Sequence, residues 1–168
     1  MTGPTSTPVE TAVVFIGGEA PHPDVLDQLP SPRWVIAADS GFDHAHRLAV
    51  TVDLLVGDLD SISERGRVLA RERDTPTECF PTDKDFTDTE LALRAAVRHG
   101  AQRITVVSGV GPRLDHSLAA LCVLVDPSLR GIDIDAWWGD SYVIALQGPV
   151  ERTVGFPADQ TFSLLRSE

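Results

Sequence analysis

Four short motifs carry side chains that could do chemistry together. In GDLDS (57–61) two carboxylates, Asp58 and Asp60, stand two positions apart directly after the apolar run DLLVG. Such a pair can reach one hard cation, and magnesium commonly takes one or two carboxylates and fills its shell with water and substrate phosphate. The same five residues also suit an Asp-rich turn in which Ser61 caps the next helix. KDFTD (84–88) sets Asp85 and Asp88 beside Lys84, the only lysine of the chain. A lysine is a flexible point charge for phosphate oxygens. SGVGPRLDH (108–116) is a glycine-containing loop with Arg113, Asp115 and His116 at its far end. It matches neither the Walker A loop nor GxGxxG. Its backbone N–H groups at Gly109 and Gly111 could face an anion at a helix start, and Arg113 could clamp a phosphate or simply pair with Asp115. ADSG (38–41) adds Asp39. His44 and His46 are two apart on an expected helix, so they diverge and read as surface or packing residues.

The elements that must position these motifs follow from hydrophobic patterning. Short Val/Ile-rich runs at 12–18, 34–40, 53–58, 77–81 and 104–109 are bounded by Gly, Pro or Asp, as buried strands are. Helical periods fall between them at 23–29, 42–49, 62–73, 88–99 and 114–125. Thr87 and Glu90 form a capping-box signature for the fourth helix, and Gly100 supplies its stop. Pro112 is tolerated at the start of the fifth. This alternation predicts an α/β fold with a doubly wound parallel sheet. Every motif then follows a strand, so all four reach the carboxyl edge where ligands bind such sheets. After Pro127 the pattern changes to short β candidates at 132–138, 142–146, 152–156 and 161–165. They predict a partial antiparallel β unit. The expected division is a tail at 1–11, a nucleotide-binding unit at 12–130 and a β-rich acceptor-binding unit at 131–168.

Composition narrows the function classes. The chain has 168 residues, 14 basic and 25 acidic, for a net charge of −11. That surface opposes nonspecific binding to nucleic acid or an anionic membrane. The N-terminus lacks the basic and apolar regions of a secretory signal, and no apolar run could span a bilayer, so a cytoplasmic location is expected. Cys79 and Cys122 are too isolated for a disulfide scaffold or a zinc cluster and read as small core residues. A carboxylate about 4 Å from a phosphate is repelled by roughly 4 kcal/mol at an effective dielectric near 20. Several Asp around a polyphosphate therefore require a divalent cation, which reverses the sign. With no P-loop and no nucleophile motif, the set suits direct phosphoryl-type transfer from Mg–ATP by positioning and charge stabilisation.

Taken in order, ADSG, GDLDS, KDFTD and GPRLDH resemble the thiamine pyrophosphokinase family over about residues 13–138. The resemblance implies transfer of diphosphate from ATP to the hydroxyl of thiamine, giving AMP and thiamine diphosphate. It also implies a magnesium requirement and a homodimer. By motif, Asp58, Asp60, Asp85 and Asp88 would be the metal-linked acids. Lys84 and Arg113 would neutralise the polyphosphate. Asp115 would complete the site, and Asp39, Gly109, Gly111 and His116 would line it. Two positions depart from the family pattern: Ser40 stands where Gly is common, and Pro112 replaces the Gly before the arginine. The C-terminal β unit reads as shortened. Three further readings stay open: transfer to another small alcohol such as a hydroxymethylpterin, a metal-dependent phosphohydrolase, and a nonenzymatic nucleotide-binding module.

Overall fold

The computed structural model describes residues 10–31, 33–83, 85–155 and 161–164. Seven strands form one sheet: β1 (Thr11–Phe15), β2 (Trp34–Ala38), β3 (Leu54–Gly57), β4 (Thr77–Cys79), β5 (Arg103–Ser108), β6 (Asp133–Trp138) and β7 (Ser141–Ala145). Their order is β4-β3-β2-β1-β5-β6-β7. All neighbours are parallel except β6 and β7. The order reverses between β1 and β5, and at such a switch point a crevice opens beyond the strand ends.

The helices are α1 (Gly41–Arg47), α2 (Glu64–Glu72), α3 (Asp88–Arg98) and α4 (Leu114–Val123), with a 3-10 turn at Pro23–Gln28. Alternation along β1 shows why they lie on both faces. Ala12, Val14 and Ile16 join one apolar cluster with Leu91, Ala92 and Ala95 of α3. Val13 and Phe15 join the other with Phe42 and Ala45 of α1. A strand covered on both sides reads as a continuous apolar run, as the sequence does here. Gly41 lets α1 press onto β1: a Cβ there would lie 2.1 Å from the Phe15 carbonyl oxygen.

The start of α3 forms the expected capping box. Glu90 N–H donates to Thr87 Oγ1 at 3.2 Å, and Thr87 N–H donates to Glu90 Oε2 at 2.9 Å. Thr87→Ala removes one half of this exchange. An expected loss of about 1 kcal/mol follows, readable as a lower urea midpoint with an unchanged slope.

One expected feature is present as part of the main sheet, and two others differ from expectation. The antiparallel pair after Pro127 is present as β6–β7, and it is built onto the parallel sheet through six β5–β6 register pairs from Arg103↔Asp133 to Ser108↔Trp138. No strand forms at 152–155 or 161–164, and the rest of those two candidate strands lies outside the described residues. Cys79 and Cys122 are exposed rather than buried, because β4 is an edge strand and Cys122 lies on the solvent side of α4. No described helix is long and apolar enough to cross a membrane.

Candidate active site

Parallel pairing brings the carboxyl ends of β1 to β5 to one edge of the sheet. Asp39 follows β2, and its N–H donates across to Val56 O of β3 at 2.9 Å. This requires a positive φ of 47° at Asp39, a conformation that Asp tolerates better than most residues. Beside it β3 ends at Gly57, whose φ is 145°. A Cβ on Gly57 would lie 3.1 Å from Asp88 Oδ1 and 3.3 Å from Asp39 Cβ. The missing side chain thus admits two carboxylates from different elements to one point.

Asp39, Asp58 and Asp60 each offer an oxygen within 4.8 Å of the others. They run from buried through half-buried to exposed, so the cluster opens to solvent on one side. The loop joining them is closely tied. Asp60 N–H donates to Asp58 Oδ1 at 3.1 Å, while the Ser61 N–H and hydroxyl both donate to Asp39 Oδ2. Asp39 Oδ1 is buried with no hydrogen-bond partner among the described residues. An unpaired buried carboxylate oxygen is costly, and a cation at this point would satisfy it. Burial raises the Asp39 pKa above its ordinary value; the Ser61 bonds oppose the rise and the charges of Asp88 and Asp58 add to it. Oxygen-only donors of this charge suit magnesium and do not suit zinc.

The other expected site residues divide between the neighbourhood of this cluster and the start of α4. Asp85 sits exposed in the turn before α3, outside the three-carboxylate group. Asp88 opens α3 and faces Gly57 and Asp39. Lys84 lies outside the described residues. Arg113 and Asp115 pair with each other at the start of α4, both exposed. That pairing raises the Arg113 pKa and lowers that of Asp115, through their hydrogen bond first in each case. They follow β5, which lies three places from β3 in the sheet. His116 is exposed in the first turn of α4.

Between these two groups lies the switch point. Gly109 bridges Glu19, its N–H donating to Glu19 O at 2.9 Å. Gly111 lies beside Gly18 and Glu19. Ser108 is buried, and its hydroxyl donates to Gly17 O at 2.9 Å. The Gly17–Gly18 turn belongs to this edge and was not among the expected site residues. The signal for it was the GG pair ending the first apolar run. His44 is buried, and its Nε2 bonds the Gly18 carbonyl at 3.1 Å, so Nε2 carries the proton. Burial lowers the His44 pKa, and the bond to Gly18 opposes that shift.

Comparison with known proteins agrees with this arrangement. The model of the thiamin pyrophosphokinase catalytic domain matches residues 27–135. A search of curated proteins gives no significant match. Among solved structures, a thiamine pyrophosphokinase from Bacillus subtilis superposes with a TM-score of 0.63 at 24% identity, over 76% of this chain and 60% of that one. A thiamin pyrophosphokinase family protein from Enterococcus faecalis gives 0.59 at 28% identity, over 76% and 61%. The Candida albicans thiamin pyrophosphokinase shares the fold at 11% identity and a TM-score of 0.63, over 77% and 58%. The chain therefore spans about three fifths of the length of these structures. Since the matched segment covers most of the chain and includes the whole acidic cluster, the chain belongs to the thiamin pyrophosphokinase catalytic-domain family.

Proposed function

We propose that this protein transfers diphosphate from Mg–ATP to the hydroxyl of thiamine, releasing AMP and thiamine diphosphate. The observation that carries the reading is the convergence of Asp39, Asp58 and Asp60 at the strand ends, with one buried Asp39 oxygen lacking a hydrogen-bond partner. These three carboxylates would hold the cation, which offsets polyphosphate charge and polarises the reacting phosphoryl oxygens. Asp88 and Asp85, from the start of α3 and the turn before it, extend the negative rim, and Lys84 is assigned to the phosphates.

The switch-point crevice suits the rest of the nucleotide. Gly17, Gly18, Gly109 and Gly111 gather at that edge around Ser108 and Glu19, and the polyphosphate would lie against this backbone. Arg113, across that crevice from the acids, would exchange Asp115 for a phosphate oxygen, with Asp115 and His116 lining the nucleotide's far side. The arrangement separates a cation-holding end from an arginine-bearing end, so the polyphosphate lies along the strand ends between them. The acceptor hydroxyl oxygen then forms a bond to the β-phosphorus, the bond from that phosphorus to the α–β bridging oxygen breaks, and AMP leaves. The hydroxyl proton passes to a crevice carboxylate. Residues 12–130 would hold the nucleotide and those from 131 on would contribute to the acceptor pocket. A homodimer and a cytoplasmic location complete the reading; the exposed Leu114 and Leu118 of α4 support the former.

The test follows nucleotide products with and without thiamine in the presence of Mg–ATP. Thiamine-dependent AMP, formed in equal amount to thiamine diphosphate, is expected. AMP formed only with a hydroxymethylpterin would reassign the acceptor. Phosphate released without any acceptor would replace transfer by hydrolysis.

A further inference from the structure

We propose that Arg67 and Leu59 are positioning residues that hold the Asp58–Asp60 loop in its cation-ready form; this rests on the cation reading of the cluster given above. Leu59 lies between the two carboxylates of the loop and has a φ of 65°. A left-handed conformation costs a side-chain-bearing residue roughly 1–2 kcal/mol. Something must hold it there, and two contacts do. The Leu59 side chain packs against the apolar cluster that includes Leu55, Ile62 and Ala70, beneath α2. Arg67, one turn into α2, sends Nη2 to the Asp60 carbonyl at 3.3 Å. Both side chains line a cavity of about 560 Å³ between α2 and the edge of the sheet.

The two peptides that flank Asp60 are therefore each fixed. Its N–H is taken by the Asp58 carboxylate and its C=O by the Arg67 guanidinium. Turning these two peptides together would swing Asp58 and Asp60 apart and release Leu59 to an ordinary conformation. The peptide whose C=O Arg67 holds also carries the Ser61 N–H that donates to Asp39 Oδ2, so its rotation would loosen Asp39 from the cluster as well. The Arg67 charge acts in the opposite direction. A cation near a guanidinium is repelled, so a purely electrostatic Arg67 would weaken cation binding. The two roles thus predict opposite signs.

The measurement is Mn²⁺ affinity by EPR without nucleotide, on the full chain. Arg67→Met is expected to weaken Mn²⁺ binding about tenfold, the scale seen when a group supporting a metal ligand is removed. Arg67→Lys, which keeps a donor for the Asp60 carbonyl, should recover part of the loss. Leu59→Gly relieves the backbone but removes the apolar anchor, and it should also weaken binding; it serves if Arg67→Met fails to fold. Unchanged or tighter binding in Arg67→Met, with wild-type protein binding Mn²⁺ normally, overturns the positioning role alone. Wild-type protein that binds no Mn²⁺ overturns the cation reading and this inference together.

Discussion

Asp58→Asn is expected to lower thiamine-dependent AMP formation about a hundred- to a thousandfold, the range typical for removing one electrostatic contact from a transition state. The substitution is chosen for what it keeps. Its amide oxygen can still accept from the Asp60 N–H, which donates to Asp58 Oδ1 at 3.1 Å, so the loop retains its turn. It removes one negative charge from a group of three carboxylates within 4.8 Å of one another. The same variant separates binding from chemistry. A cation present at about a hundred times its dissociation constant stabilises a protein by roughly 2.7 kcal/mol, or about 5–10 °C in Tm for a chain of this size. Wild-type protein should show that rise on adding Mg²⁺, and Asp58→Asn should lose most of it. Near-normal activity in Asp58→Asn would remove Asp58 from the cation site.

How far the sequence foretold this site depends on which residues are local. The loop 57–61 and the start of α3 were legible, because each motif carries its own turn or capping chemistry and follows an apolar strand. That parallel strands deliver their following residues to one edge was also legible. The partnership within the edge was not. Asp39 lies 19 residues before Asp58, and only the β2–β3 register puts the two side by side. Strand order sets β5, which leads to Arg113, three places from β3, which leads to Asp58, and no local pattern encodes that order. His44 reads from the sequence as a surface or packing residue, since its bond to Gly18 spans two elements and leaves no local signal. The end of the sheet gave a similar lesson. Short turns at GDS and QGP suggested a small separate β unit, and the GDS turn does join β6 to β7. What joined β6 to the main sheet was the parallel register with β5, which depends on residues 30 positions apart.

Asp135→Ala is the second large effect, and it falls on stability. The alternation IDID at 132–135 reads as a strand with one wet face, yet Asp135 is only 1% exposed. Its carboxylate is held by neighbours from three directions. Arg103 Nη2 donates to Oδ2 at 2.7 Å, Tyr142 Oη at 2.8 Å and Arg152 Nη2 at 3.3 Å. The arginine bonds tie the start of β5 and the segment after β7 to the start of β6. Burial first, then the bond to Asp135, raises the Tyr142 pKa, so the phenol stays a donor. Truncating one member of a buried charged network costs up to about 3–5 kcal/mol. Here the arginines are 44% and 23% exposed and can rehydrate, and Arg152 keeps Asp133. The expected loss is therefore about 2–3 kcal/mol, from the charge-assisted bonds removed and the half-buried Tyr142 hydroxyl left without its acceptor. Asp135→Asn keeps an acceptor oxygen and should lose less. Because this network lies at the starts of the strands and the acids lie at their ends, the fraction of Asp135→Ala that folds should keep its kcat and its Mg²⁺ response. A falling kcat at unchanged stability would instead place Asp135 in communication with the site across the length of β5 and β6.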